Sequence, residues 1–297
     1  MTVMKSGISW TDSSWNPVTG CTKVSPGCQH CYAETLTQRF GRQSFGDIVL
    51  HPSRLRQVTQ FKPLMKDGVL VPRLVFVNSM SDAFHERIPD EFRDQIFDAI
   101  ESNSSAIFQL LTKRPGVAQR YLRRRYGGHG ALPAHIWLGV SIENNAVRKR
   151  IDVLRAIASR HAVSCAFLSV EPLIAPIDAC EFNGMAWVLI GGESGLRCRP
   201  MEMSWLEEAV TKSRSAGAAI WFKQYGHIRN NPDVVRIPRD ERLSLSAAFD
   251  IAVERGLEHL PSEKGGATLR GRTFRELPRT FEVAKEALRA EQHRSLR

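Results

Sequence analysis

At 297 residues, 42% of them hydrophobic, the chain can bury a large core, either as one domain or as a domain with an appendage. Its formal charge of +10 favours a polyanionic partner, nucleic acid first among them. No apolar run is long enough to span a bilayer, and Met1 to Trp10 lack the basic start and apolar stretch of a signal peptide. A cytoplasmic protein with reduced thiols and no membrane association is therefore expected.

In chain order, the first informative segment is a loop in which Cys21, Cys28 and Cys31 fall within eleven residues, three of the six cysteines present. Thiolates gathered this closely in a reducing compartment read as ligands, since one disulfide would leave a sulfur over. Three thiolates are one short of a closed tetrahedral zinc site. They also leave one iron of a cubic four-iron cluster without a protein ligand, where a small molecule can bind. Zinc would need a fourth ligand, His30 or His85. His30 lies inside the tight Cys28/Cys31 turn and is poorly placed to reach the same ion, whereas His85 could arrive from a neighbouring loop.

Short apolar runs then recur, each ending abruptly in polar residues. Leu74 to Val77 leads to Asn78, Ser79, Met80, Ser81 and Asp82, and Ile107 to Leu111 leads to Thr112, Lys113 and Arg114. Ile136 to Val140 leads to Ser141 and Glu143, Ala166 to Leu168 to Ser169 and Glu171, Trp187 to Ile190 to Gly191, Gly192 and Glu193, and Ile220 to Phe222 to Lys223. Runs of this kind suit strands buried on both faces of a parallel sheet. Between them lie helical patterns. Pro89, Asp90 and Glu91 start one that carries Phe92, Ile96, Phe97 and Ile100. Asn144 caps another with Val147, Ile151, Leu154 and Ile157, and Trp205 to Val210 marks a third.

Alternating strands and helices imply right-handed β-α-β units. Six strands are visible, and a seventh near Gly7 to Trp10, or just before Cys21, would suit a full or partial TIM-like parallel (βα) barrel. A doubly wound sheet is the alternative, but its Gly-rich first turn is missing. In such barrels the site is built at the carboxyl ends of the strands, where Asp82, Lys113, Glu143, Glu171, Glu193 and Lys223 would converge with the cysteine loop.

Basic residues gather at Arg120 and Arg123 to Arg125, at Arg148 to Arg150, and along the tail from Arg270 to Arg297. The first two clusters could grip phosphates or be solvated helix faces. Trp137, Trp187 and Trp221 sit within apolar strands and read as core; Trp10 and Trp15 could wall a pocket or cover a barrel end. Cys165 and Cys180 read as buried residues, while Cys198 could lie near the mouth. Phe281 to Leu296 reads as a terminal helix. A barrel over residues 1–228 and a basic C-terminal extension over 229–297 are expected.

Several segments together carry a family resemblance. They are Trp10 to Cys21, Gly27 to Ala33, Phe84 to Glu86, Leu111 to Pro115, Gly139 to Asn144, Leu168 to Leu173, Gly191 to Gly195, Phe222 to Gly226 and Gly271 to Phe274. In these the chain resembles the phage-associated three-Cys-motif protein family, which is itself similar to radical S-adenosylmethionine enzymes. The resemblance implies that Cys21, Cys28 and Cys31 ligate a [4Fe-4S] cluster whose fourth iron binds S-adenosylmethionine. Reductive cleavage would then give a 5′-deoxyadenosyl radical that abstracts hydrogen from a substrate. It implies His30 near the adenine, Ser79, Ser81 and Asp82 at the methionine amino group, and Ser141 or Glu143 at the ribose or carboxylate. Lys113 would join them at the cofactor.

Glu171, Glu193 and Lys223 remain as candidate catalytic groups near the substrate. Two features depart from the usual radical-enzyme pattern. Six residues rather than three separate Cys21 from Cys28, and Gly191-Gly192-Glu193 ends a late strand rather than the second. The function expected is modification or repair of a nucleic acid or nucleotide, with flavodoxin or ferredoxin as electron donor. The alternatives are a zinc-stabilised, non-catalytic nucleic-acid-binding protein, or a phage interaction protein with a structural or redox-sensing cluster.

Overall fold

A computed structural model describes residues 6–40, 44–195, 197–231 and 264–295. Seven strands form its main sheet: β1 (Ser13–Trp15), β2 (Arg73–Val77), β3 (Ala106–Thr112), β4 (Ile136–Ser141), β5 (Ala166–Val170), β6 (Trp187–Gly191) and β7 (Ala219–Gln224). Spatial order follows chain order, and every neighbouring pair is parallel. The sheet curls into a half-barrel flanked by helices, the partial form of the expected architecture. No helix among the described residues is long and apolar enough to cross a membrane.

The first strand lies between the two positions expected for it. Asp12 pins the chain to β2, its N–H donating to Leu74 O at 3.0 Å while its carboxylate accepts from Leu74 N at 2.8 Å. Pairing therefore begins at Ser13 rather than within Gly7 to Trp10. Val18–Thr19, just before Cys21, is extended but pairs antiparallel with Val49–Leu50 in a separate ribbon.

The two faces of the sheet bury different things. Four helices cover the convex face: α2 (Asp90–Glu101), α3 (Pro115–Tyr126), α4 (Lys149–His161) and α5 (Met203–Ser215), with α1 (Tyr32–Phe40) preceding them in the chain. Phe92, Ile96, Phe97 and Ile100 of α2, with Ile151, Leu154 and Ile157 of α4, pack there as their spacing predicts. Asn144 accepts from Ala146 N at 2.9 Å and caps a single 3₁₀ turn that leads into α4.

The concave face carries an aromatic cluster. Trp10 lies 4.7 Å from Phe76 between ring centroids, and Trp187 stands edge-on to Trp10, Trp137 and Trp221 at 6.0–6.3 Å. Trp10 is thus core rather than a wall of a pocket. Trp15 is core too, on the convex side, with its indole donating to Arg54 O at 2.9 Å. Cys165 lies in the concave cluster and Cys180 in the convex one, and burial raises their pKa values to about 12 and about 11.

The barrel's open side is closed by the C-terminal segment. Residues 274–276 run antiparallel along β7, with Phe222 N donating to Phe274 O at 3.0 Å and Glu276 N to Ile220 O at 2.9 Å. This covers the edge of β7. Helix α6 (Arg279–Ser295) then sets Phe281 and Ala284 against the aromatic cluster. Trp221 donates to Ser9 Oγ at 3.2 Å, joining β7 to the segment before β1. Residues 232–263, just past the boundary expected at 228, lie outside the described residues.

Arg124 and Arg125 of the basic cluster on α3 are committed elsewhere. Helices here run back from the carboxyl to the amino ends of the strands, so Arg123, Arg124 and Arg125 in the last turn of α3 sit away from the mouth. Arg124 donates to Asp94 at 2.6 Å; Arg125 donates to Asp98 at 2.7 Å and Glu101 at 2.9 Å. Together they form a ladder between α2 and α3. Burial alone would raise the Asp94 carboxyl, but hydrogen bonds from Arg124 and Tyr121 outweigh it and hold the pKa below its usual value. A depressed folded-state pKa contributes stability above the unfolded value and loses it as pH falls through the folded one. Asp94→Asn should cost about 0.5–1 kcal/mol at neutral pH. In thermal melts its deficit should shrink as pH drops below about 4; a deficit independent of pH would show that the ladder does not stabilise through charge.

Candidate functional site

In a parallel sheet all carboxyl ends share one edge, so the polar strand ends are brought together by topology. The cysteine loop follows the Val18–Thr19 ribbon onto that edge. Gly20, at φ +89°, turns the chain there, and a Cβ at this position would collide with Asp47 O. Gly20 N donates to Met80 O at 3.0 Å, Ser81 Oγ donates to Gly20 O at 2.6 Å, and Cys21 N donates to Phe45 O at 2.8 Å. Ser81 therefore supports the loop's first residue.

A guanidinium from the end of β3 holds the first arm of the loop. Arg114, whose side chain is 3% exposed, donates through Nη2 to Thr22 O at 2.8 Å and Thr22 Oγ1 at 2.9 Å. Its Nη1 reaches Cys21 Sγ at 3.6 Å. Asp82 fixes this group, receiving Arg114 Nη1 at 3.2 Å along with Thr112 Oγ1 (2.8 Å), Phe84 N (2.9 Å) and Lys113 N (3.1 Å). The Asp82 carboxylate is thereby engaged by four donors. Burial pushes the Cys21 thiol up to about 11 against the pull of Arg114.

His85 lies on the same side, accepting Arg87 N on Nδ1 at 3.1 Å and facing Thr22 Oγ1 with Nε2 at 2.8 Å. Burial and the neighbouring Arg114 lower its pKa, which favours the neutral ring.

The second arm is held from β4 and β6. Ser25 Oγ donates to Glu143 Oε1 at 2.7 Å, and Gly27 has no room for a Cβ against the same carboxylate. Glu143 is fully buried, accepts Arg150 Nη1 at 3.0 Å, and has Lys113 Nζ at 3.7 Å. Arg150 also donates to Ser141 O at 2.9 Å. Arg199 donates to Pro26 O at 3.0 Å and to Gln29 Oε1 at 3.4 Å, and is itself gripped by Glu193 through Nε at 2.9 Å and through Nη2. His30 Nδ1 meets Glu193 Oε2 at 3.0 Å. Burial works against ionisation of Glu193, yet its bonds from Arg199 and His30 hold the carboxyl below the usual range. Cys198, half-buried, immediately precedes this arginine.

The rest of the edge is more open. Lys223 Nζ lies 3.2 Å from Glu171 Oε1, with side-chain exposures of 25% and 14%. Ser169 Oγ donates to the other Glu171 oxygen at 3.3 Å, and Gly191 leaves the space that Glu171 occupies. Ser79 exchanges hydrogen bonds with the Asn16 amide at 3.2 Å. Tyr32 next to Cys31 donates to Ser79 O at 2.6 Å while its ring stays nearly half exposed. Deeper on the concave face, between Ile107 and Leu111, Gln109 is buried with neither amide atom hydrogen-bonded.

The structure thus gathers the expected residues at one edge and brings the cysteine loop into direct contact with Glu143 and Glu193. All three loop thiols are half-buried. Among the described residues no group of three or more His, Cys, Asp or Glu side chains is close enough to hold a metal ion, so the thiols share a loop without forming a ready-made coordination set. A family model described as a protein of unknown function, DUF5131, matches residues 5–278. The chain belongs to this family. No curated protein and no solved structure matches it. The DUF5131 match covers all the segments that carry the sequence resemblance, and it assigns no chemistry to them.

Sequence reasoning missed Arg199, Ser25 and Tyr32 as parts of this edge; it placed Arg114 at a strand end without a role, and read Arg150 as part of a basic cluster able to grip phosphate, whereas Arg150 holds Glu143. Arg199 sat in view as a basic residue shortly after the Gly191-Gly192-Glu193 strand end. If Glu193 and Arg199 clamp the loop, Glu193→Gln should open it. Losing a charged hydrogen-bond partner costs about 1.5–3 kcal/mol, or roughly tenfold or more in local opening. Limited trypsin digestion should then cut after Lys23 about tenfold faster than in the wild type; an equal rate would remove the clamp.

Proposed function

We propose that this DUF5131 protein is a radical S-adenosylmethionine enzyme whose Cys21, Cys28 and Cys31 hold three irons of a [4Fe-4S] cluster. The observation that carries the reading is the three-cysteine loop tethered across the carboxyl edge of a parallel half-barrel. The donor set suits the group, since three thiolates leave one iron for a chelating small molecule. Bound there, cluster and cofactor would supply reductive cleavage of the sulfonium and abstraction of a hydrogen atom from a substrate.

The chain's own residues divide the labour. Asp82, Glu143 and Glu193 are committed to the loop through Arg114, Ser25 and Arg199, so they place the cysteines rather than touch substrate. This reassigns Glu193, which the strand-end reading sets near the substrate. Lys113, half-buried at the rim, is a cation available for a carboxylate. Glu171 and Lys223 form the accessible pair best able to bind substrate or move a proton. The buried amide of Gln109 offers a donor and an acceptor, without protein partners, to a polar group entering the barrel.

For the substrate we retain a nucleic acid or nucleotide. With Arg124 and Arg125 paired to α2 and the last turn of α3 away from the mouth, the support moves to exposed Arg148 and Lys149, which lie at the start of α4 and so beside the mouth. The zinc alternative gains nothing: His30 is bound to Glu193, and His85 is engaged on both ring nitrogens.

Anaerobic reconstitution with iron and sulfide should give brown protein with broad absorption near roughly 400 nm that bleaches on reduction. Single alanine variants of Cys21, Cys28 or Cys31 should lose it, and Cys165→Ala should not. Stoichiometric zinc with no iron would overturn the assignment. Nucleic-acid binding, measured by shift assay, should weaken steeply with salt and fall in the Arg148→Glu, Lys149→Glu double variant. Salt-insensitive or absent binding would point to a peptide or small-molecule substrate instead.

A further inference from the structure

The two arms of the cysteine loop are held by the same device, a strand-end carboxylate gripping a guanidinium that grips the loop, but the two devices differ at one atom. Arg199 touches only a carbonyl and an amide oxygen of the loop, Pro26 O and Gln29 Oε1. Arg114 touches a carbonyl, a hydroxyl and a sulfur: Thr22 O, Thr22 Oγ1 and Cys21 Sγ. We propose that Arg114 is a positioning residue that sets the reduction potential of the group Cys21 holds, as well as the place of the loop. The proposal deepens the cluster assignment above and rests on it.

Arg114 has little freedom to do anything else. Nε donates to Glu86 at 2.8 Å, Nη1 to Asp82 at 3.2 Å, and Nη2 twice to Thr22. A guanidinium is planar and permanently charged, so fixing its other donors fixes the N–H that points at the sulfur. Asp82, which fixes it, is itself locked by Thr112, Lys113 N and Phe84 N. The long first spacing of the motif makes this anchor necessary. Six residues separate Cys21 from Cys28, and without a holdfast the Cys21 arm would be free to swing away from the Cys28/Cys31 turn.

The electrostatic consequence has a definite sign. Reducing a thiolate-ligated iron-sulfur group adds one electron and makes its sulfurs more negative. A hydrogen-bond donor and a positive charge at a ligand sulfur stabilise that state, and hydrogen bonds to the sulfurs are among the factors that set such potentials. Removing Arg114 deletes the donor and also leaves the Asp82 carboxylate unneutralised near Cys21. Both changes favour the oxidised form, so the potential falls.

The test is a redox titration of the reconstituted protein, followed by bleaching near roughly 400 nm and by electron paramagnetic resonance. In Arg114→Gln the reduced-to-oxidised ratio at a fixed potential should drop about tenfold, equivalent to about 59 mV for one electron. Arg199→Gln is the control: it should speed trypsin cleavage of the loop in the metal-free protein and, since it frees the Glu193 carboxylate but removes no donor from a sulfur, shift the potential clearly less than Arg114→Gln. Thr22→Val removes the hydroxyl contact while keeping the Thr22 carbonyl and the sulfur contacts, and should leave the potential where it was.

An unchanged potential in Arg114→Gln, or an equal shift in Arg199→Gln, overturns the proposal. If Arg114→Gln fails to fold or to retain iron, Arg114→Lys decides. Keeping the charge but losing the fork, it should shift the ratio in the same direction by a smaller factor, and a wild-type potential there overturns the proposal. Failure of the wild type itself to bind iron and sulfide would instead remove the cluster assignment, a separate result.

Discussion

The position of the cysteine loop depends on two enclosed ion pairs, Asp82 with Arg114 and Glu193 with Arg199. Each carboxylate ends a different strand region, one after β2 and one after β6, and each guanidinium also donates to loop atoms, Arg114 giving its Nε to Glu86 as well. Burying such charges costs desolvation energy that attraction only partly offsets, so pairs of this kind are poor devices for raising stability. They are good devices for fixing geometry, because breaking one leaves an uncompensated charge, at a cost of about 3–5 kcal/mol. The loop therefore has few alternative positions. Toward the other end of the sheet Trp10, Trp137 and Trp187 fill the concave face.

Much of this edge was legible before any coordinates. A parallel strand buried on both faces reads as a continuous apolar run, and the polar residues that stop it must lie at its carboxyl end. Six such runs therefore implied one edge carrying Asp82, Lys113, Glu143, Glu171, Glu193 and Lys223. The partners could not be read in the same way. Arg114 meets Thr22 across 92 residues and Arg199 meets Pro26 across 173, and no local pattern encodes either contact. The basic cluster on α3 is a different kind of miss, because its signal was present. Asp90, Asp94, Asp98 and Glu101 repeat at three- and four-residue intervals, which places four carboxylates on one stripe of α2. An acidic stripe one β-strand away from a basic one predicts a helix-helix ladder before it predicts a phosphate site.

The Gly191-Gly192-Glu193 segment shows how a motif can keep its residues and take on different work. Gly191 is bare because Glu171 fills the space beside it, and Gly192 because the backbone of Tyr225 passes too close for a Cβ. Both glycines thus answer to packing at the end of β6. Glu193 then holds Arg199 and His30, and through them the Cys28 arm of the loop. Its chemistry is that of a clamp. His30 is accounted for by the same contact, which orients its ring toward β6.

What remains after the clamps are assigned defines the working half of the site. Asp82, Glu143 and Glu193 are almost wholly enclosed, whereas Glu171, Lys113 and Lys223 keep part of their surface in solvent, beside a tyrosine ring pinned by its hydroxyl but open on its face. A group that must meet a ligand cannot have every donor and acceptor already engaged, and the three carboxylates that hold the loop are the ones kept from solvent. Among the carboxylates the division by burial is therefore also a division by role. On the proposed function it sends substrate to the β5 and β7 side of the mouth, where Glu171 and Lys223 meet, and leaves the β2, β3 and β6 ends to keep the cysteines in place.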